Sequence, residues 1–141
     1  MKRVADVMTP NPIAIGPDEP IRKALESMQN GGFRRLPVME SGRLVGIFSD
    51  RDLRQCMNIS MVVHEKSYDD YVLDHLQVGN CMTANPFTLS PDDPLRTAAK
   101  LMRDWKVGGC PVMAGDEIVG IVTESDLLTY LVDSLEAGTL L

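Results

Sequence analysis

Two segments of this chain place a side-chain hydroxyl three residues before a carboxylate, where a short apolar run gives way to a polar, helix-forming sequence. Both follow the pattern G-h-h-[S/T]-x-x-D, in residues 46–52 and 120–126, and their polar side chains are Ser49, Asp52, Thr123 and Asp126. A helix N-terminus attracts phosphate through its unpaired N–H groups, and a hydroxyl there adds a donor. A carboxylate one turn later can accept hydrogen bonds from ribose hydroxyls. The pattern therefore indicates a turn that binds ribose and phosphate.

The same spacing also has a purely structural interpretation. A Ser or Thr three residues before an acidic residue, ahead of a helix, closely resembles the capping box that satisfies the first N–H groups of a helix. A carboxylate in the first turn also suits the helix dipole. The two interpretations are compatible, and the motif alone does not choose between them.

The motif occurs twice because residues 4–53 recur as residues 78–127 at a constant offset of 74. Identical pairs include Met8/Met82, Thr9/Thr83, Arg22/Arg96, Met39/Met113 and Asp52/Asp126. Such a repeat indicates that the fold is built from two copies of one unit. A unit of about 60 residues is marginal by itself, so the two copies are expected to share a core about a pseudo-twofold axis.

The predicted element order in each repeat is β-α-β-β-α. A short strand at 13–15 or 87–89 precedes an amphipathic helix that begins near Ile21 or Leu95. Apolar residues fall there at i, i+3, i+4 and i+7. The first of these helices is predicted to end at Gly31-Gly32 and the second near Gly108-Gly109. Each repeat continues with a hairpin, and a closing helix starts near Asp50 or Glu124.

The repeats leave a linker and a short tail. The predicted bounds are 1–55 for the first repeat, 56–77 for the linker, 78–135 for the second repeat and 136–141 for the tail. Tyr68, Tyr71 and His75 lie near helical spacing and predict a helical turn or two within the linker. Met61 and Val62 could extend the preceding helix.

Composition excludes several classes of protein. The net charge of −6 argues against general nucleic-acid binding. No apolar run approaches the roughly 20 residues of a membrane helix, and the N-terminus lacks the apolar core of a signal peptide. The three cysteines are odd in number and scattered, which favours reduced thiols and a cytoplasmic location.

Taken together, these segments resemble the CBS domain pair, also called a Bateman module, over nearly the whole chain. The resemblance is carried by residues 7–12, 33–38 and 44–53 and by their counterparts 81–86, 108–112 and 118–127. Each segment is weak alone, whereas their order, spacing and duplication are specific. Among stand-alone members, the chain is similar to the small bacterial acetoin-utilisation-type CBS proteins.

The resemblance implies an α/β (α+β) fold with two small three-stranded sheets, packed sheet to sheet with the helices outside. It also implies two clefts between the repeats for an adenine nucleotide, AMP, ADP or ATP, as regulatory ligand. Asp52 and Asp126 would hold the ribose, and Ser49 and Thr123 would contact ribose or phosphate. The adenine would be flanked by Ile13, Ile15, Phe87 and Leu89.

The two implied sites differ in charge. Two adjacent positions that are often basic in phosphate-binding members are Arg34 and Arg35 in the first repeat. In the second repeat they are Gly108 and Gly109. We therefore expect unequal sites, while the sequence leaves open which cleft Arg34 serves.

Two classes of function follow. The first is a regulatory module that binds an adenine nucleotide or a related adenosyl compound, and the second is a ligand-free dimerisation or interaction scaffold. Retention of Asp and Ser/Thr in both copies favours the first class. No nucleophile–base pair or metal-ligand set predicts an enzyme. The apolar faces of the repeat helices, completed by the residues from Leu127 to Leu135, predict a homodimer. The sequence identifies neither the ligand nor a regulated protein.

Overall fold

The computed structural model describes residues 2–57 and 66–138, which belong to two compact units. The central unit comprises Ile13–Pro86, and the terminal unit combines Met1–Pro12 with Phe87–Leu141. The compact units therefore differ from the sequence repeats, because the opening residues of each repeat pack with the body of the other. The predicted helical extension through Met61 and Val62 lies outside the described residues.

Both units contain helices and strands. In chain order the described elements are α1 (Val4–Val7), β1 (Thr9–Pro10), α2 (Ile21–Gly31), β2 (Arg35–Glu40), β3 (Arg43–Ser49), α3 (Asp50–Met57), α4 (Lys66–His75), α5 (Val78–Cys81), β4 (Thr83–Ala84), α6 (Leu95–Trp105), β5 (Gly109–Ala114), β6 (Glu117–Thr123) and α7 (Glu124–Glu136).

Each unit contains one three-stranded antiparallel sheet built on a predicted hairpin. β2 pairs with β3 in the central unit, and β5 pairs with β6 in the terminal unit. The third strand is β4 or β1, from the Met-Thr segment that opens the other repeat, so that Thr83 lies opposite Ile47 and Thr9 opposite Ile121. The predicted fold class, mixed α/β with two three-stranded sheets, is confirmed.

The motif glycines allow these short strands to approach. A Cβ atom on Gly46 would lie 2.9 Å from the carbonyl oxygen of Thr83, and one on Gly120 would lie 3.0 Å from that of Thr9. Side-chain carbons rarely come so close to a carbonyl oxygen. Glycine at the start of the motif is therefore explained by strand pairing.

The prediction of regular strands at 13–15 and 87–89 is wrong. Only one residue of each forms a bridge, Ile15 with Val38 and Leu89 with Val112, both parallel. A proline lies close to each segment on either side, and proline lacks the N–H group that would extend a ladder. Ile15 and Leu89 are nevertheless buried and anchor these segments to the cores.

The predicted amphipathic helices are confirmed as α2 and α6. Their buried residues are Ile21, Ala24 and Met28 on α2 and Leu95, Ala98 and Met102 on α6. α2 ends as predicted, with Gly32 in the left-handed conformation. The predicted end of the second helix near Gly108-Gly109 is wrong, because α6 ends at Trp105 and Lys106 takes the left-handed position at φ 54°.

The linker contains the predicted helix, α4. The structure also contains a disulfide bond that the sequence did not predict. A disulfide joins Cys56 on α3 to Cys81 on α5, with the Cα atoms 6.1 Å apart. The expectation of reduced thiols is therefore wrong for this pair. The two residues are 25 positions apart in sequence, and only the packing of α5 against α3 brings them together.

Among the described residues, no helix has the length and apolarity needed to cross a membrane.

Candidate functional site

Each motif forms a closed capping box at the start of its closing helix. In the central unit, Asp52 Oδ2 accepts hydrogen bonds from the Ser49 backbone N–H at 2.9 Å and from Ser49 Oγ at 3.0 Å. The backbone N–H of Asp52 donates in turn to Ser49 Oγ at 3.1 Å. Thr123 and Asp126 repeat these three contacts at 2.8, 3.1 and 3.3 Å in the terminal unit. The structural interpretation of the spacing is thus confirmed in both units.

The capping box does not involve the second carboxylate oxygen, Oδ1, of Asp52 or Asp126. Asp52 Oδ1 accepts from Thr83 Oγ1 at 3.3 Å, and Asp126 Oδ1 accepts from Thr9 Oγ1 at 3.5 Å. Hydroxyl-to-oxygen hydrogen bonds are usually 2.5–3.0 Å long, so both contacts are weak. Oδ1 therefore keeps acceptor capacity for a hydroxyl group supplied by a ligand.

Thr9 and Thr83 are candidate site residues that our sequence prediction did not include. They lie on β1 and β4, so each candidate site combines a threonine from one repeat with a hydroxyl and a carboxylate from the other. Their repetition in the segment Met-Thr-x-Asn-Pro could have identified both threonines from the sequence. The repetition does not show that each threonine contacts the motif of the opposite repeat.

The basic pair lies beside the capping box of the central unit. Arg35 is the register partner of Ser49, and the Arg34 carbonyl accepts a hydrogen bond from the Asp50 N–H at 2.9 Å. Arg34 is exposed and Arg35 is half-buried. Neither guanidinium forms an ion pair with any residue in 2–57 or 66–138, so both charges are available to an anion.

The terminal unit places neutral residues at the same point. Gly109 is the register partner of Thr123, and the Gly108 carbonyl accepts from the Glu124 N–H at 3.1 Å. Asp126 lines a groove of about 410 Å³ whose other charged residues are Asp6, Asp133 and Lys2. Its three carboxylates outnumber the single cation, so this groove favours an anion less than the surface beside Arg34 and Arg35 does.

The four residues expected to flank adenine divide into two types. Ile15 and Leu89 are buried in the cores of their units and have little surface to offer a ligand. Ile13 and Phe87 are 55% and 43% exposed. The Phe87 ring lies 5.2 Å from that of Trp105, at the end of α6. The apolar surface open to a base is therefore aliphatic in the central unit and aromatic in the terminal unit.

The two candidate sites carry groups that suit a bound ligand. Each provides a helix N-terminus, two hydroxyls and a carboxylate, which together suit a ribose and an adjoining phosphate. Among the described residues, no group of three or more His, Cys, Asp or Glu side chains is arranged to hold a metal ion.

Comparison with known proteins finds the same organisation. The CBS domain family model matches residues 4–58 and again residues 78–133. A CBS domain-containing protein of Dictyostelium discoideum is 38% identical over 136 residues, covering 94% of this chain and 93% of the relative. Some relatives are longer: the chain spans 46% of an uncharacterized protein of Methanocaldococcus jannaschii.

Two solved structures are similar over nearly their full length. A proposed acetoin utilization protein (AcuB) from Vibrio cholerae has a TM-score of 0.79 at 28% identity, covering 96% of this chain and 94% of that one. CBSX2, solved in complex with AMP, has a TM-score of 0.78 at 28% identity, covering 94% of this chain and 98% of that one. The resemblance to stand-alone CBS domain pairs is thereby confirmed.

Proposed function

Since the chain belongs to the CBS domain family and carries the domain twice, we propose that it is a regulatory module that binds adenine nucleotides. CBS domain pairs are generally regulatory and not catalytic. The observation that carries the proposal is the free acceptor capacity of Asp52 and Asp126 Oδ1 beside a threonine hydroxyl. A ribose presents adjacent hydroxyls that can donate to the carboxylate and accept from the threonine. The AMP complex of CBSX2 supports the choice of ligand.

AMP, ADP and ATP are the preferred candidates, and a related adenosyl compound is the alternative within the same class. A second class, the ligand-free scaffold, is favoured by one observation: the capping boxes are complete without any ligand. The cytoplasm is the proposed location, because adenine nucleotides are made and consumed there. Disulfides are rare in that compartment, so the Cys56–Cys81 bond is not explained by this location.

The first prediction is that AMP, ADP or ATP raises the melting temperature of the protein. A ligand at 100 times its dissociation constant stabilises the native state by about 2.7 kcal/mol. For a chain of this size, that corresponds to an increase of roughly 5–10 °C in differential scanning fluorimetry. Inorganic phosphate and ribose 5-phosphate serve as controls for effects of anion and sugar alone. The absence of a shift with all three nucleotides at millimolar concentration would favour the scaffold.

The second prediction concerns the charge difference between the sites. Arg34→Ala is expected to reduce the preference for AMP over adenosine by about tenfold at one of two sites, or ~1.4 kcal/mol. Arg–phosphate contacts are charge-assisted, although exposure of Arg34 to solvent weakens them. Isothermal titration calorimetry with both ligands measures the preference.

Arg43→Ala is the matched control, because it removes the same charge from an exposed residue six positions before Ser49 on β3, ~20 Å along the strand. Two equal sites in the wild type would contradict the expected asymmetry. If Arg34→Ala leaves the preference for AMP over adenosine unchanged, Arg34 does not bind the phosphate. Arg35→Ala then tests whether Arg35 does.

The third prediction is a homodimer in solution. The exposed residues of α7 include Val132 and Leu135, at 51% and 57%, and most soluble homo-oligomers are twofold dimers. Light scattering at tens of micromolar should report twice the chain mass of 15.6 kDa. Leu135→Glu should shift the distribution towards the monomer, whereas Glu136→Gln at the neighbouring position should not. A monomeric wild type under these conditions rules the dimer out.

A further inference from the structure

The disulfide of the central unit joins the two segments that form its candidate site. Cys56 lies in the last turn of α3, the helix whose first turn contains Asp52. Cys81 ends α5, and Thr83 follows two residues later on β4. The hydroxyl of Thr83 donates to Asp52 Oδ1 at 3.3 Å. The bond between the two sulfurs therefore links the threonine side of the site to the carboxylate side.

The terminal unit holds the equivalent helices together without a covalent bond. The repeat offset of 74 places Tyr130 at the position of Cys56 and Val7 at the position of Cys81. Both side chains pack against the core of the terminal unit. The chain thus contains one candidate site whose two sides are linked covalently and one whose two sides are held by packing alone.

The start of α5 is also less firmly held than the start of α1. In the terminal unit, the Asp6 carboxylate accepts a hydrogen bond from the Arg3 N–H at 2.8 Å and closes the start of α1. No side-chain hydrogen bond caps α5 at Gln77. Both helices donate two equivalent backbone hydrogen bonds, so these do not distinguish them. Because helices of four residues are unstable alone, the position of α5, and with it Thr83, depends on the bond to α3.

We propose that Cys56 and Cys81 form a reversible thiol–disulfide switch that sets the affinity of the central site for its nucleotide. The proposal rests on the nucleotide-binding function proposed above and adds its regulation. With the disulfide closed, Thr83 is held beside Asp52, and both can contact one ribose. Reduction frees α5 from α3, so that the ribose loses the fixed threonine hydroxyl. Disulfides that do occur in the cytoplasm are usually transient and are redox-sensing or catalytic.

Glutathione is the reductant that we assign to this switch, and glutathione disulfide is the oxidant. Cys56 is 8% exposed and Cys81 is half-buried, so Cys81 is the more accessible target. A glutathione thiolate attacks the Cys81 sulfur, the bond between the cysteines breaks, and Cys56 leaves as a thiolate that takes up a proton. A second glutathione thiolate breaks the mixed disulfide, which releases the Cys81 thiol and glutathione disulfide. The protein gains two electrons and two protons, and the reverse steps close the bond.

The first test does not involve nucleotide. The full-length protein is equilibrated in reduced or oxidised glutathione, denatured and alkylated with iodoacetamide. Mass spectrometry should find all three cysteines alkylated after reduction and only Cys110 alkylated after oxidation. Hydrogen exchange of the native protein should be roughly tenfold faster for the amides of residues 78–82 in the reduced state. The equivalent amides of residues 4–8 are the internal control and should not change.

The second test is calorimetric titration of AMP into both states. Oxidised protein should bind AMP about fivefold more tightly than reduced protein at one of two sites, as expected for the loss of one hydrogen bond. By linkage, AMP should raise the oxidised fraction at a fixed glutathione ratio. Cys81→Val should bind AMP equally in both buffers. Cys110→Ala is the matched control and should keep the difference between the two states.

The proposal is overturned by any of three results. The first is a disulfide that does not open in reduced glutathione or does not form in glutathione disulfide. The second is equal exchange of residues 78–82 in the two states, and the third is equal AMP affinity in the two states. The absence of AMP binding in either state contradicts the nucleotide-binding function itself, whereas equal binding in both states contradicts only the switch.

Discussion

Asp126→Asn and Asp52→Asn are each expected to weaken nucleotide binding at one site by roughly 10- to 150-fold, or ~1.5–3 kcal/mol. The amide oxygen of asparagine can still accept the hydrogen bonds that Oδ2 takes from Ser49 or Thr123. The variant replaces the negative second oxygen, Oδ1, by an amide donor. A ribose hydroxyl then loses a charged acceptor while the helix start is preserved. Calorimetric titration of AMP into each variant measures the loss.

Asp116→Asn is the control for the change of charge, because Asp116 is exposed in the β5–β6 hairpin away from either motif. Thermal unfolding without ligand should show nearly unchanged stability for all three variants. If both motif variants bind AMP as the wild type does, Asp52 and Asp126 serve only as caps and the proposed sites are wrong.

Phe48→Ala is expected to lower the free energy of unfolding by about 3–5 kcal/mol. Phe48 is fully buried in the core of the central unit and is the largest of its fully buried side chains. Removing the ring costs the transfer free energy of its atoms and leaves a cavity that the neighbouring backbone of β2 and β3 cannot close. Urea denaturation followed by circular dichroism measures the change.

The repeat supplies the matched comparison for this variant. Val122 occupies the equivalent position in the terminal unit and is equally buried. Val122→Ala removes only two carbon atoms, so it should cost roughly 1.6 kcal/mol in transfer free energy and leave a smaller cavity than Phe48→Ala does. Ile13→Ala, at a position that is 55% exposed, should stay within about 0.5 kcal/mol of the wild type. A loss below 1 kcal/mol in Phe48→Ala would contradict the packing of the central core.

Much of the architecture could be predicted from sequence because it depends on local chemistry. Helical periodicity identified α2 and α6, and the short polar turns identified both hairpins. The spacing of Ser49 to Asp52, and of Thr123 to Asp126, identified the capping boxes. The duplication showed that any site on one repeat should have a counterpart on the other. Each of these features involves residues within a few positions of one another, or the simple comparison of two copies.

Three further features depended on contacts between distant residues. The repeats carry the same Met-Thr segment, so the sequence cannot decide whether Thr9 joins β3 or β6. The structure pairs it with Ile121 of β6. The disulfide between Cys56 and Cys81 likewise requires α5 to pack on α3. A groove beside Arg96 likewise depends on the placement of α6 and α7 in the terminal unit.

The physical reason is the same in each case. Local patterns determine which residues form a helix, a cap or a turn, because the interacting groups are already close in the chain. Strand pairing and helix docking join groups far apart in sequence, and identical repeats present identical partners. The sequence by itself therefore determined two copies of a capped helix start that carries a hydroxyl and a carboxylate. Only the tertiary structure decided that each helix start is completed by a threonine of the other repeat, since Thr83 contacts Asp52 and Thr9 contacts Asp126.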